Sequence, residues 1–227
     1  MKKVLMILVV CVLGMPLFAQ ERDKPAGSTP PASPEISALQ TAYNLAKYGY
    51  STSSASALIG AAEILAKIQT QALGATPERS QSGAAAETKN TTTPEFTPAN
   101  LLADARKLAA RDRTMIAWAD SVQKLISAPT RGAAGGPKHA IDTVNAFSND
   151  TYQITFVAGQ LAQVYVSGDG STDLDVFVYD QNGTLITFDD DYGDECLVRW
   201  IPNRTSTYRV VVKNLGRYWN RYYITTN

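Results

Sequence analysis

Two cysteines, one histidine and no net charge are all that this 227-residue chain brings to redox, acid–base and electrostatic chemistry. Each shortage excludes something. His139 is the single histidine and stands in a Gly- and Pro-rich stretch, so a His-centred triad or a His/Cys zinc set lacks its residues. The 21 basic and 21 acidic residues cancel, which removes the pull that nucleic acid or an anionic membrane requires. Gly168-Asp169-Gly170 joins two strand-like runs rather than opening a helix, so it is not a phosphate cradle. Carboxylate pairs alone do not separate a catalytic acid and base from surface aspartates. Catalysis is not expected.

Long apolar runs are equally scarce. Val4–Leu13 is apolar, but spanning a bilayer takes about 20 such residues. Lys2 and Lys3 precede this run and Leu17-Phe18-Ala19 follows it, so residues 1–19 read as a secretory signal. The expectation is an exported protein, periplasmic or secreted, that starts near Gln20 and has no membrane span after signal removal. Cys11 would leave with the signal, so the mature chain could form no internal disulfide. The remaining Cys196 alternates with Val198 and Trp200, which predicts a buried, inert thiol.

What is present divides by period. Residues 20–34 are polar and Pro-rich, a flexible leader. Residues 35–127 read as a helical module interrupted by a disordered linker over 75–95. Ser33-Pro34 opens the first helix, with Ile36, Leu39, Tyr43 and Ala46 on one face and Gly49 as its stop. A second helix starts near Ser53 or Ser54, carries Leu58, Ile64, Leu65 and Ile68, and ends before Gly74. Thr97-Pro98 opens a third, whose stripe of Leu101, Leu102 and Ala105 is broken near Asp112 and resumes at Ile116. Residues 128–140 form a Gly/Pro junction. From 141 to 227 the period becomes two, with strands near 151–157, 162–167, 173–180, 184–188, 196–201, 207–213 and 220–226. The fold class is therefore α+β: a small N-terminal helical module followed by a C-terminal antiparallel β-sandwich.

Within the last third, Gly168-Asp169-Gly170, Thr172-Asp173-Leu174-Asp175, Val178-Tyr179-Asp180 and Asn182-Gly183 follow one another, then Asp189 to Asp191, the strand from Cys196 to Trp200, and Tyr208 with Val210 and Val212. This succession resembles the bacterial pre-peptidase C-terminal domain, a β-sandwich at the ends of secreted peptidases and other exported proteins. The resemblance implies an accessory role, with substrate adhesion or calcium linked to relatives. The helical module carries no peptidase signature.

Two groups of residues are candidate sites. Asp173 and Asp175, two apart in a strand, project opposite Leu174 and Val176, close to Asp169; Asp189 and Asp191 follow the next hairpin strand. Clustered carboxylates with loop carbonyls can satisfy a calcium ion, although the spacing is not that of the regular twelve-residue loop, and aspartates also serve turns through local hydrogen bonds. Tyr165, Phe177 and Tyr179 lie on outward positions of their strands, where they grip a protein partner or stack on sugar rings, or are covered by the helices. The functional expectation is a non-catalytic binding or accessory protein that engages a protein partner or an extracellular polymer. The alternatives are a carbohydrate-binding module and a calcium-stabilised structural sandwich.

Overall fold

The computed structural model describes residues 30–81, 87–89, 93–127 and 136–227. The expected secretory signal (residues 1–19) and most of the expected leader lie outside the described residues, as do parts of the expected linker and junction.

Four helices occupy the N-terminal half of the described residues: α1 (Pro34–Thr52), α2 (Ala55–Lys67), α3 (Pro98–Ala109) and α4 (Arg113–Ser127). Three start on hydroxyl caps. Ser33 accepts the N–H of Ile36, Ser54 that of Ala57 and Thr97 that of Asn100, with proline in the first turn after Ser33 and Thr97. Gly49 does not stop α1. The helix runs on to Thr52 and turns at Ser53, which adopts a left-handed conformation with φ 55°. Gly49 serves close packing instead: a Cβ there would sit 2.5 Å from Cδ2 of Leu58. α2 ends at Lys67, earlier than the apolar stripe suggested, and Gly74 lies beyond it between the strands Gln71–Ala72 and Glu78–Gln81 with a left-handed φ of 70°.

Ten strands, two of them between α2 and α3, form two sheets among the described residues: β1 (Gln71–Ala72), β2 (Glu78–Gln81), β3 (Lys138–Val144), β4 (Ser148–Phe156), β5 (Ala162–Gly168), β6 (Leu174–Tyr179), β7 (Leu185–Asp189), β8 (Glu195–Trp200), β9 (Ser206–Asn214) and β10 (Asn220–Thr226). The first sheet has the order β1-β3-β10-β5-β8 and the second β2-β4-β9-β6-β7. Apart from β1 with β3, neighbours run antiparallel. Alternate residues of both sheets meet between them, Val164, Val166, Cys196 and Val198 from one side and Tyr152, Ile154, Val176 and Val210 from the other.

Two expectations are corrected here. Residues 71–81 form a strap that edges both sheets: β1 pairs with β3, β2 pairs with β4, and Leu73 between them enters the sandwich core. The segment 75–95 is thus not wholly a linker. The strap has no apolar alternation because backbone pairing suffices at an edge. The junction also ends earlier than 140, since β3 begins at Lys138.

The helices form a second core on the outer face of the first sheet. Tyr43, Leu58, Phe96 and Leu101 pack there with Tyr165 of β5, Tyr223 of β10 and, at the margin, Leu197 of β8. Tyr43 stacks on Tyr223 with ring centroids 4.6 Å apart, and Phe96 on Tyr223 at 5.6 Å. Among the described residues, none of the second sheet belongs to this core. Among the described residues, no helix is long and apolar enough to cross a membrane.

Candidate binding surfaces

The acidic end of the sandwich is built from the β5–β6 turn and the β7–β8 loop. Asp169 is buried against Lys89, whose Nζ lies 2.6 Å from Oδ2, and it also accepts from the backbone N–H and hydroxyl of Ser171. Asp173 precedes β6 and accepts the N–H of Gly193 at 2.6 Å. Asp189 accepts the N–H of Leu197 at 2.9 Å and that of Asp191 at 3.4 Å. Asp194, from the same loop, pairs with Lys47 of α1 at 2.9 Å and accepts from Gly170. Asp175 is only 4% exposed, and its Oδ1 has no hydrogen-bond partner. Burial, then the charge of Asp173, pushes its carboxyl up to about 6 against the pull of Lys213, its cross-strand partner.

Among the described residues, no three His, Cys, Asp or Glu side chains are grouped so as to hold a metal ion. Asp169, Asp173, Asp175, Asp189 and Asp191 each have the surroundings given above, and calcium binding by them remains an expectation of the sequence. Lysines and loop N–H groups take up much of their charge. At the tip of the loop Tyr192 is 97% exposed, and no pattern in the sequence singles it out.

The three outward aromatics do not share a face. β5 belongs to the first sheet and β6 to the second, so the turn between them is an arch across the sandwich. A period-two pattern assigns an inward and an outward set to each strand, but it does not say which sheet the strand joins. Tyr165 consequently faces the helices, fully buried and stacked 6.2 Å from Tyr43. Phe177 and Tyr179 lie on the opposite outer face. Phe177 stacks on Phe188 of β7 at 6.0 Å, and the Arg209 guanidinium lies 4.8 Å from the Tyr179 ring centre. Gln153, Arg209 and Tyr179 are register partners across β4, β9 and β6 and so form one row. Thr151, Val211, Phe177 and Phe188 form the next. A cleft of about 330 Å³ lined by Asp180, Ile186, Asn203, Arg204 and Tyr208 lies at the end of this sheet.

A polar network inside the sandwich escaped the sequence reading. Tyr222 donates its hydroxyl to Asp150 at 2.8 Å, and the Tyr152 hydroxyl lies 2.7 Å from that of Tyr222. Asp142 lies 3.4 Å from the Tyr152 hydroxyl, and Arg79 of the strap pairs with both Asp142 and Asp150. Burial raises Asp150 to about 6 despite Tyr222 and Arg79. These residues meet only through long-range pairing, and no local spacing announces them.

His139 and Cys196 are both packed among partners. His139 lies 3.0 Å from the Thr225 hydroxyl and stacks on Tyr223, and burial lowers its pKa to about 4. Cys196 is buried, donates to the Leu174 carbonyl at 3.0 Å, and is pushed far above the usual thiol range, mainly by burial.

No family model and no curated protein matches the chain. Several solved structures are similar to it. The periplasmic inhibitor of g-type lysozyme from Aeromonas hydrophila is 14% identical, with 44% of this chain and 92% of that chain covered and a TM-score of 0.33. The pre-peptidase C-terminal domain of a Bacillus anthracis collagenase is 8% identical over 39% and 89%, with a TM-score of 0.31. A carbohydrate-binding module of the Cellvibrio mixtus lichenase 5A is 10% identical over 39% and 86%, with a TM-score of 0.26. At these values the likeness concerns the β-sandwich and nothing finer.

Proposed function

We propose that the protein is exported and non-catalytic, an accessory protein whose β-sandwich engages a protein partner or an extracellular polymer. One observation carries this reading: the helices are spent on the first sheet, while the outer face of the second sheet keeps a row of Gln153, Arg209 and Tyr179 beside the Phe177–Phe188 pair. An aromatic ring paired with a guanidinium offers apolar area, charge and directed donors at low cost in side-chain entropy, the usual make-up of an interface anchor. The signal-like residues 1–19 support export. The buried Cys196 and weakly basic His139 support a role without chemistry.

A carbohydrate polymer is the second reading, favoured by the same row. The ring of Tyr179 supplies a stacking surface, and Gln153 and Arg209 supply hydrogen bonds to hydroxyls. Retention of residues 20–227 on the organism's own cell-envelope fraction and on insoluble polysaccharides tests both readings. Wild type is retained, and a Tyr179→Ala/Arg209→Ala variant that melts like wild type is not. Polysaccharide beads alone retaining wild type selects the carbohydrate reading. Equal retention of the variant contradicts the proposed face.

A further inference from the structure

The strap covers one edge of the second sheet and two aspartates of the sandwich. β2 lies along β4 through four register pairs, from Glu78 with Thr151 to Gln81 with Ser148. Glu78, Arg79 and Ser80 are exposed; among the described residues of the strap, Leu73 enters the sandwich core and Ala75 packs partly buried against it, both N-terminal to β2. The hold of β2 on the sandwich therefore comes from backbone pairing and from Arg79. Segments with so little apolar burial open at low free energy.

Beneath Arg79 lies an acidic receptor made wholly of sandwich residues. Asp150 of β4 is 1% exposed, and Asp142 stands beside it on β3. The hydroxyls of Tyr222 and Tyr152 fix the two carboxylates from behind, and the N–H of Thr143 binds Asp142 at 2.8 Å. Among the described residues, the ion pairs of both carboxylates go to Arg79: Nη2 meets Asp142, and Nε lies 3.7 Å from Asp150. Two carboxylates at different angles suit the planar fork of a guanidinium better than the point charge of an ammonium. A strand edge with a side-chain pocket is also the general form of recognition by strand addition, in which backbone pairing gives affinity and the pocket gives specificity.

We infer that the β4 edge with Asp142 and Asp150 is an acceptor site for an extended, arginine-bearing peptide, filled in this chain by its own residues 78–81. The site is distinct from the outer face of the second sheet and does not depend on the function proposed for that face. The tethered strand holds it through a high effective concentration, and a competing peptide gains entry as that hold weakens.

The test uses the full mature chain with Arg79→Ala and a labelled peptide copying residues 75–81. Fluorescence anisotropy should show the variant binding this peptide about tenfold more tightly than wild type does, and more tightly than it binds the same peptide with lysine in place of arginine. Adding Asp150→Asn to the variant should abolish that preference. If Arg79→Ala alone does not fold, the arginine peptide must restore its melting transition where the lysine peptide does not. Absence of binding to a folded Arg79→Ala variant, equal binding of both peptides, or failure to restore an unfolded one overturns the inference.

Discussion

The Tyr223 hydroxyl accepts the N–H of Phe96 while its ring stacks on those of Tyr43 and Phe96, so one side chain joins sheet, helix and connecting segment. Tyr223→Phe keeps the stacking and removes the acceptor, leaving a buried N–H without a partner. A loss of about 1–3 kcal/mol is expected, read from urea unfolding; an unchanged midpoint would show that Phe96 finds another acceptor. His139 makes a separate prediction. Its folded pKa of about 4 lies below the ordinary 6.5, so its contribution to stability is complete above about 6.5 and is lost as the pH falls through 4. Asp150 and Asp175, both raised to about 6, act in the opposite sense over the same range, because the folded state takes up their protons more readily. Replacing His139 by Asn should therefore reduce acid destabilisation between pH 7 and pH 5 relative to wild type, measured as the change in urea midpoint. An equal change in both proteins would contradict the assignment. At this scale the sequence was legible where alternation settles burial, as for Cys196 with Val198 and Trp200. It was silent on Arg79, Asp142 and Asp150, which meet only through the register of strands far apart in the chain.

Capping makes elements legible, and packing hides some of their ends. Ser33, Ser54 and Thr97 marked the starts of three helices because a hydroxyl acceptor followed by a helical stripe has a direct physical meaning. Gly49 misled for an equally physical reason: glycine serves both as a helix terminator and where backbones approach closely, and here Leu58 of α2 requires the second use. Gly49→Ala should therefore destabilise the protein by about 1–3 kcal/mol through overpacking, although alanine is the better helix former. The Leu58 side chain can yield a little, but its backbone N would stand 3.2 Å from the new Cβ. A gain in thermal stability would contradict this packing. The strap was illegible because Glu78–Gln81 has neither alternation nor β-branched residues, and its strand character comes from the waiting edge of β4.

The whole molecule is two cores that share a wall. The first sheet has one side in the sandwich and, through Tyr165, Tyr223 and Leu197, the other beneath the helices. Class and order, helices first and sandwich second, were legible from the change of period near the Gly/Pro junction. The assignment of β5 and β6 to different sheets was not, since an arch and a hairpin leave the same alternation. That assignment separates the buried Tyr165 from Phe177 and Tyr179 and leaves the outer face of the second sheet outside the helical core, the face proposed above for binding. Covalent footprinting of residues 20–227, free and then captured on the organism's cell-envelope fraction as proposed above, tests this most directly. Labelling of Tyr179, Arg209 and Gln153 should fall on capture, while that of Tyr48, Leu108 and Leu125, exposed on the helices, stays unchanged. Protection confined to the helices, with the second sheet labelled as in the free protein, would contradict the account.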